Sequence, residues 1–82
     1  MDALTVMTAL SNPTRADILA LVSRRPMSLS QLAAATNMNV SSVFAAVSKL
    51  QTAGLVTKRR LGRKCLVRSR YSKIDLLFLD LD

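Results

Sequence analysis

The amino-acid sequence predicts a single, mainly α-helical domain that carries one small β-hairpin. Two observations lead to this fold class. Residues 28–54 contain two short helical patterns separated by a polar turn, which is the order of a helix-turn-helix unit. Residues 55–71 then alternate in polarity like two strands, and their tight turn falls at residues 61–64. The chain (1–82) has the length of one domain.

Two helices are predicted ahead of the helix-turn-helix unit. Residues 2–10 place four apolar side chains on one side at helical spacing: Ala3, Val6, Met7 and Leu10. Asn12 can cap a second helix over residues 13–23, whose first position suits Pro13 because the missing proline N–H costs nothing there. The stripe that this second helix should bury is Ile18, Leu21 and Val22.

The two helices of the central unit have recognisable ends. Ser28 and Gln31 form a capping-box pair at the start of the first helix, residues 28–36. Asn39 can cap the second helix, residues 40–53, and Gly54 suits the left-handed residue that closes it. The stripe that the second helix should bury consists of Val40, Val43, Val47 and Leu50.

The last segment, residues 72–82, predicts a short helix that is apolar nearly all round. Such a helix should be covered on more than one face, so we expect residues 1–10 and 72–82 to form the contact between two copies of the chain. The side chains expected in this interface are Leu4, Met7, Ile74, Leu77, Phe78 and Leu81. A short strand, or a tail folded over its own core, is the alternative.

Positive charge is concentrated in one part of the chain. The net charge is +7, the pI is about 10.9, and residues 49–73 contain nine basic residues and no acid. A local field of one sign attracts polyanions. Because this charge lies on the hairpin that follows a helix-turn-helix, double-stranded DNA is the expected partner. A solvated basic face with a ribosomal or membrane preference is the alternative.

Composition argues against several other classes of protein. No segment resembles a signal peptide or approaches the length of a membrane span, and a single cysteine cannot form an internal disulfide, so a cytoplasmic protein without a membrane partner is expected. The chain has no histidine and few carboxylates, so no general base is evident beside a nucleophile and we do not expect an enzyme. Cys65 is interpreted as a small apolar strand residue, with redox sensing as the alternative.

Local strings in this order resemble the ArsR-type winged helix-turn-helix repressors, over residues 10–71. The resemblance is carried by LSNPTRADIL at residues 10–19, by AGLV at residues 53–56, and by the Gly62-Arg63 pair at the hairpin tip. It implies a symmetric homodimer and a recognition helix in the major groove of DNA. It also implies that the hairpin of residues 55–71 is a wing that lies near the minor groove.

The chain departs from the metal-sensing members of this family. Many of them bind metal through a Cys-x-Cys pair on the helix that begins here at Leu29, or through His and Asp pairs on the last helix. Here residues 29–31 offer no thiol, and Cys65 alone cannot build a four-ligand site, so neither a metal nor a cofactor is expected. The chain is interpreted as a minimal member whose short C-terminal part leaves little room for an effector pocket.

The candidate DNA contacts fall on the second central helix and on the wing. On the helix they are Asn39, Ser41, Ser42, Phe44, Ala45, Ser48 and Lys49. Most of these side chains are short, so few bidentate base contacts are expected and recognition should depend on DNA shape. Phe44 contacts either a thymine methyl or its neighbours in the protein. On the wing the candidates are Lys58, Arg59, Arg60, Arg63, Lys64 and Arg68.

Position along the wing separates the expected roles of its cations. Arg63 lies at the tip of the hairpin, where an arginine can enter a narrow minor groove. Arg59, Arg60 and Lys64 surround the same turn, and Lys58, Arg68 and Arg70 are expected to neutralise phosphates. The alternative, that a cation only keeps the hairpin soluble, is expected to hold for two or three of them.

We therefore expect a sequence-specific, homodimeric transcriptional regulator. A repressor is favoured over an activator, since a small dimer can occlude a promoter without any further contact. Two other hypotheses stay open at this point. The apolar tail from Ile74 would also suit a winged helix that docks on another protein. A DNA-architectural protein of low sequence specificity would share every feature of charge.

Overall fold

The computed structural model of the protein describes residues 3–71. Its elements in chain order are α1 (Ala3–Leu10), α2 (Pro13–Arg24), β1 (Met27–Ser28), α3 (Leu29–Thr36), α4 (Val40–Thr52), β2 (Val56–Leu61) and β3 (Lys64–Ser69). This is the expected winged helix-turn-helix: α3 and α4 form the central unit, and β2 with β3 forms the wing. The helix predicted within residues 72–82 lies outside the described residues.

Side-chain caps fix where three of the helices begin, as the sequence predicts. Asn12 caps α2 by accepting from two backbone N–H groups, at 2.9 and 3.2 Å. Ser28 and Gln31 form the complete capping box of α3. Asn39 caps α4 by accepting from the N–H of Ser42 at 2.8 Å. Each cap satisfies donors that the first helical turn would otherwise leave unpaired.

Left-handed residues end both helices of the central unit. Asn37 closes α3 with a φ of 56°, and its N–H donates to the carbonyl of Ala33. Gly54 follows α4 with a φ of 81°, as predicted, and the next residue, Leu55, donates its N–H to the carbonyl of Leu50 at 3.0 Å. These two reversals set the turn between α3 and α4 and the exit of the chain into the wing.

The sheet has three antiparallel strands in the order β1-β3-β2, so β3 is paired on both sides. Strand β1 was not predicted, because two residues are too few to show an alternating pattern. It places Met27 opposite Val67 and so ties the segment between α2 and α3 to the wing. The turn between β2 and β3 contains Gly62 with a φ of 62°, as the sequence predicts.

The hydrophobic core lies where α2, α3 and α4 meet the base of the sheet. Its most deeply buried side chains are Val6, Ile18, Leu32, Val43, Val47, Leu50, Leu55, Val56 and Val67. On α2 the predicted stripe is partly wrong, since Leu19 is buried and Leu21 is only half-buried. The reason is that α2 packs against α3, α4 and β3 together, so its buried face is turned toward Leu19.

The prediction for the start of α4 is also partly wrong. Val43, Val47 and Leu50 are fully buried, but Val40 is 46% exposed. Val40 is the first residue of the helix, and its neighbours Asn39 and Ser41 are exposed as well. The core therefore stops one turn further along α4.

Helix α1 buries one narrow face and leaves another open. Val6 and Ala9 are buried, whereas Leu4 is 71% and Met7 is 56% exposed. The Arg15 guanidinium holds the end of α1 against α2, because its Nε donates to the carbonyl of Ala9 at 2.6 Å. Of the four apolar residues expected on one side of α1, Val6 is buried and Ala3 and Leu10 are half-buried, whereas Met7 is exposed. Within residues 3–71, no helix is long and apolar enough to cross a membrane.

Candidate nucleic-acid interface

The outward face of α4 presents short side chains to solvent. Ser41, Ser42 and Ala45 are exposed, and Ser48 is half-buried. The oxygen of the Asn39 side chain is occupied by its capping bond, which leaves the amide –NH₂ group as its outward donor. This face can approach a groove closely because little side-chain bulk stands between the helix backbone and its target.

Two apolar side chains stand on the same face of α4. Phe44 is 49% exposed, and Val40 is 46% exposed at the first helical position. Val40 was assigned to the core from its spacing alone, so sequence reasoning missed it as a candidate contact. The first turns of α4 were expected to face outward, and Val40 is the first residue of this helix. This position could have identified Val40 as a candidate contact. Apolar side chains at such positions can contact the methyl group of thymine.

The wing has two distinct faces, which are fixed by its register. Lys58 pairs with Val67 and Arg60 with Cys65. These residues lie on the same face of the hairpin as the buried Val56, which we call the inner face. The outer face carries Arg59 and Arg68, both exposed. Because directly opposite residues of an antiparallel pair point the same way, the cations of the wing are divided between the two faces.

The tip of the wing is fully open to solvent. Arg63 lies in the turn and Lys64 is the first residue of β3, and both are exposed. Leu61, the last residue of β2, pairs with Lys64 and is 48% exposed. Leu61 was not singled out from the sequence, because it was counted as part of the tight turn at residues 61–64. An exposed arginine and an exposed leucine at one tip combine a cation with an apolar side chain, which are the two kinds that proteins insert into a minor groove.

Lys58 joins the wing to the recognition helix. Its Nζ lies 4.2 Å from the centroid of the Phe44 ring and 3.4 Å from the Oγ of Ser48. Both residues belong to α4, whereas Lys58 belongs to β2. The sequence left the neighbours of Phe44 open, and the structure shows the ring in contact with a cation of the wing.

Lys49 extends the cationic surface toward the start of α2. It is exposed in the last turn of α4 and lines a shallow cavity together with Asn12, Thr14, Ser42 and Ala45. The cavity lies between the outward face of α4 and the first turn of α2. A cation near the C-terminal end of a helix also interacts favourably with the helix dipole.

Charge in the described part of the chain is almost entirely of one sign. Asp17 is the one acid within residues 3–71, against eleven lysines and arginines. The described residues contain no group of three or more histidine, cysteine or acidic side chains that could hold a metal ion. Cys65 is a free, half-buried thiol on the inner face of β3.

A family model and solved structures both match this chain. Residues 10–76 match the model of the family described as HVO_A0114. The fold matches the homodimeric winged helix-turn-helix DNA-binding domain (fragment 1–100) of Mb0332 from Mycobacterium bovis, a possible ArsR-family transcriptional regulator. The identity is 32%, the match covers 92% of this chain and 69% of that one, and the TM-score is 0.82. This chain belongs to the HVO_A0114 family and to the ArsR-type winged helix-turn-helix regulators.

Two further structures resemble this ArsR-type chain. NolR from Sinorhizobium fredii is 25% identical, with 92% of this chain and 75% of that one covered and a TM-score of 0.81. Reduced HlyU from Vibrio cholerae is 18% identical, with 95% and 90% covered and a TM-score of 0.81, and this likeness concerns the fold alone. The relatives described as transcriptional regulators are of a non-enzymatic class, in agreement with the sequence. A comparison with curated proteins found no match.

Proposed function

We propose that this chain is a double-stranded DNA-binding transcriptional regulator that acts as a homodimer. The observation that carries the proposal is the juxtaposition of an open helix face with a cationic wing. The outward face of α4 carries mostly small side chains, and the hairpin joined to it by Lys58 exposes Arg59, Arg60, Arg63 and Lys64, with no acidic residue in the hairpin itself. Helices of this kind enter the major groove, and cationic hairpins contact the minor groove and phosphates.

Base contacts are proposed for the helix-turn-helix of residues 28–54. The residues assigned to the major groove are Asn39, Ser41, Ser42, Phe44, Ala45 and Ser48, and we add the exposed Val40. Serine bonds either phosphates or base edges, and Val40 and Phe44 offer apolar contact with thymine methyl groups. Few of these side chains can form bidentate bonds with a base. Specificity therefore depends largely on the shape and deformability of the DNA.

Backbone and minor-groove contacts are proposed for the wing, residues 55–71. Arg63 at the open tip enters the minor groove, where a guanidinium is favoured by the negative potential of a narrow groove. The cations assigned to phosphates are Lys49, Arg59, Arg60, Lys64 and Arg68, all of which are exposed. Lys58 shares this charge but has two partners within the protein, Phe44 and Ser48.

Dimerisation is proposed through α1 and the segment 72–82. Leu4 and Met7 are exposed apolar side chains on α1, and Ile74, Leu77, Phe78 and Leu81 are the apolar residues of the last segment. The Mb0332 fragment is homodimeric, which supports a homodimer of this chain but does not identify the surface that forms it. A symmetric dimer reads two half-sites on DNA, and occlusion of a promoter by such a dimer makes repression the proposed outcome.

Salt dependence of DNA binding tests this function. Fluorescence anisotropy with a pool of random-sequence duplexes, at 50 and 200 mM salt, measures the contribution of charge. If a dimer neutralises about 6–10 phosphates, affinity falls by about 10³–10⁵ over this range. The double variant Arg59→Ala/Lys64→Ala should lower the magnitude of the salt dependence, because two phosphate contacts per protomer are lost. A flat response of the wild type, or no binding at 50 mM salt, contradicts the proposal.

A further inference from the structure

On the inner face of the wing, Lys58 lies at the boundary between the buried core and the solvent-exposed tip. The residue before it on this face, Val56, is 1% exposed. The cross-strand partner of Lys58 is Val67, which is fully buried. The next residue on this face, Arg60, is exposed, whereas Lys58 is half-buried. Its aliphatic stem therefore continues the apolar face of the sheet while its ammonium group reaches the surface.

The ammonium group of Lys58 meets two side chains of α4 at once. It lies over the Phe44 ring, 4.2 Å from the centroid, which is within the range of a cation–π interaction. It also lies 3.4 Å from the Oγ of Ser48. Phe44 and Ser48 are four residues apart and so share one face of the helix. One side chain of the wing is thus seated on two side chains of the recognition helix.

The part of the wing beyond this contact has little support from the rest of the described chain. Residues 59–64, which include Arg63, are all exposed. The direction in which the tip points is therefore set near Lys58, where the hairpin leaves the core. A small change of angle at this point moves the tip further than the base, because the tip lies several residues away along both strands.

We propose that Lys58, Phe44 and Ser48 form a latch that fixes the angle between the wing and the recognition helix. In this arrangement Lys58 is a positioning residue, and phosphate neutralisation falls to its exposed neighbours such as Arg59. By fixing this angle, the latch would set how far Arg63 at the tip of the wing lies from α4. Its consequence for DNA binding rests on the proposed function, whereas its existence in the free protein does not.

Nuclear magnetic resonance of the free protein tests the latch without DNA. The ε-methylene protons of Lys58 should be shifted upfield by the ring current of Phe44, and Phe44→Leu should abolish this shift. The amide order parameters of residues 59–64 should fall in Lys58→Met and in Phe44→Leu, from values typical of rigid backbone toward those of flexible segments. Lys58→Arg should preserve the order of the wing, because arginine also stacks on aromatic faces. Arg59→Met, on the outer face, is the matched control and should leave it unchanged.

Salt titration of DNA binding then separates positioning from charge. Lys58→Met keeps the apolar stem and should weaken binding by about two- to fivefold per protomer, the equivalent of one exposed cation–π contact. The slope of log affinity against log salt concentration should stay at the wild-type value. Arg59→Met should instead lower the magnitude of this slope by about 0.9 per protomer, as expected for one lost phosphate contact.

Each outcome bears on one of the two claims. Unchanged order of residues 59–64 in both Lys58→Met and Phe44→Leu overturns the latch. A loss of salt dependence in Lys58→Met as large as that in Arg59→Met overturns the positioning role and makes Lys58 a phosphate contact. If the wild type fails to bind DNA while the two variants still loosen the wing, the proposed function fails and the latch stands. Thermal melting of every variant confirms that the comparison is made between folded proteins.

Discussion

At the scale of single residues, the two halves of the candidate interface differ in chemistry. Side chains on the open face of α4 are mostly short, whereas those of the wing are long and cationic. The sequence predicts this contrast, because residue type alone sets the length and charge of a side chain. It does not predict that Val40 is exposed or that Lys58 contacts Phe44, since both depend on where the core ends in three dimensions.

Arg63 carries the clearest prediction at this scale. The substitution Arg63→Ala should weaken DNA binding by about tenfold or more per protomer, in line with the loss of a hydrogen bond made by a charged group. The melting temperature should not change, because this side chain is exposed and has no partner within the described residues. Anisotropy and thermal melting measure the two quantities. Arg24→Ala, a cation in the last turn of α2, serves as the control. Unchanged affinity of Arg63→Ala would remove this residue from the site.

At the scale of elements, local chemistry determines most of the fold. Capping residues and left-handed closing residues identify the boundaries of α2, α3 and α4, because these signals act within a few residues of the helix ends. Strand β1 has no such signal. It exists because Met27 lies opposite Val67, a contact between segments that are far apart in sequence. The predicted faces of α1 and α2 were partly wrong for the same reason, since tertiary packing decides which side of a helix is covered.

The capping box of α3 gives the prediction at this scale. Ser28→Ala removes the side-chain oxygen that accepts from the N–H of Gln31 at 3.1 Å. The free energy of unfolding should fall by about 1 kcal/mol, which corresponds to a decrease of about 4–8 °C in melting temperature for a domain of this size. Circular dichroism during heating measures this decrease. Ser30→Ala, two residues later on an exposed position of the same helix, should leave stability unchanged. Equal effects of the two substitutions would contradict the role of the cap.

At the scale of the whole molecule, the proposal combines three surfaces with different tasks. The face of α4 contacts bases, the wing contacts phosphates and the minor groove, and α1 contacts a second copy of the chain. The exposure of Leu4 and Met7 distinguishes α1 from α2, α3 and α4, whose large apolar side chains are mostly covered or belong to the DNA-facing surface. Two copies of the wing would double the cationic surface, and the distance between the two copies of α4 in the dimer would set the spacing of the half-sites on DNA.

Self-association provides the prediction for the assembled molecule. Met7→Lys places a charge at an exposed apolar position of α1 and should weaken the dimer, because a buried charge without a partner is costly. Sedimentation equilibrium without DNA measures the effect. Val40→Lys, at a similarly exposed position on α4, is the matched control and should leave the dimer intact. An unchanged dimer in Met7→Lys would place the interface elsewhere on the molecule.

Selection of the purified protein on a random duplex library, followed by sequencing of the bound DNA, tests the central claim most directly. We predict recovery of an inverted repeat whose half-sites lie about one helical turn apart, because a symmetric dimer presents two recognition helices at that spacing. Strong retention without an enriched motif would contradict sequence-specific regulation and favour a DNA-architectural protein. No retention would contradict DNA binding altogether and direct attention to a protein partner.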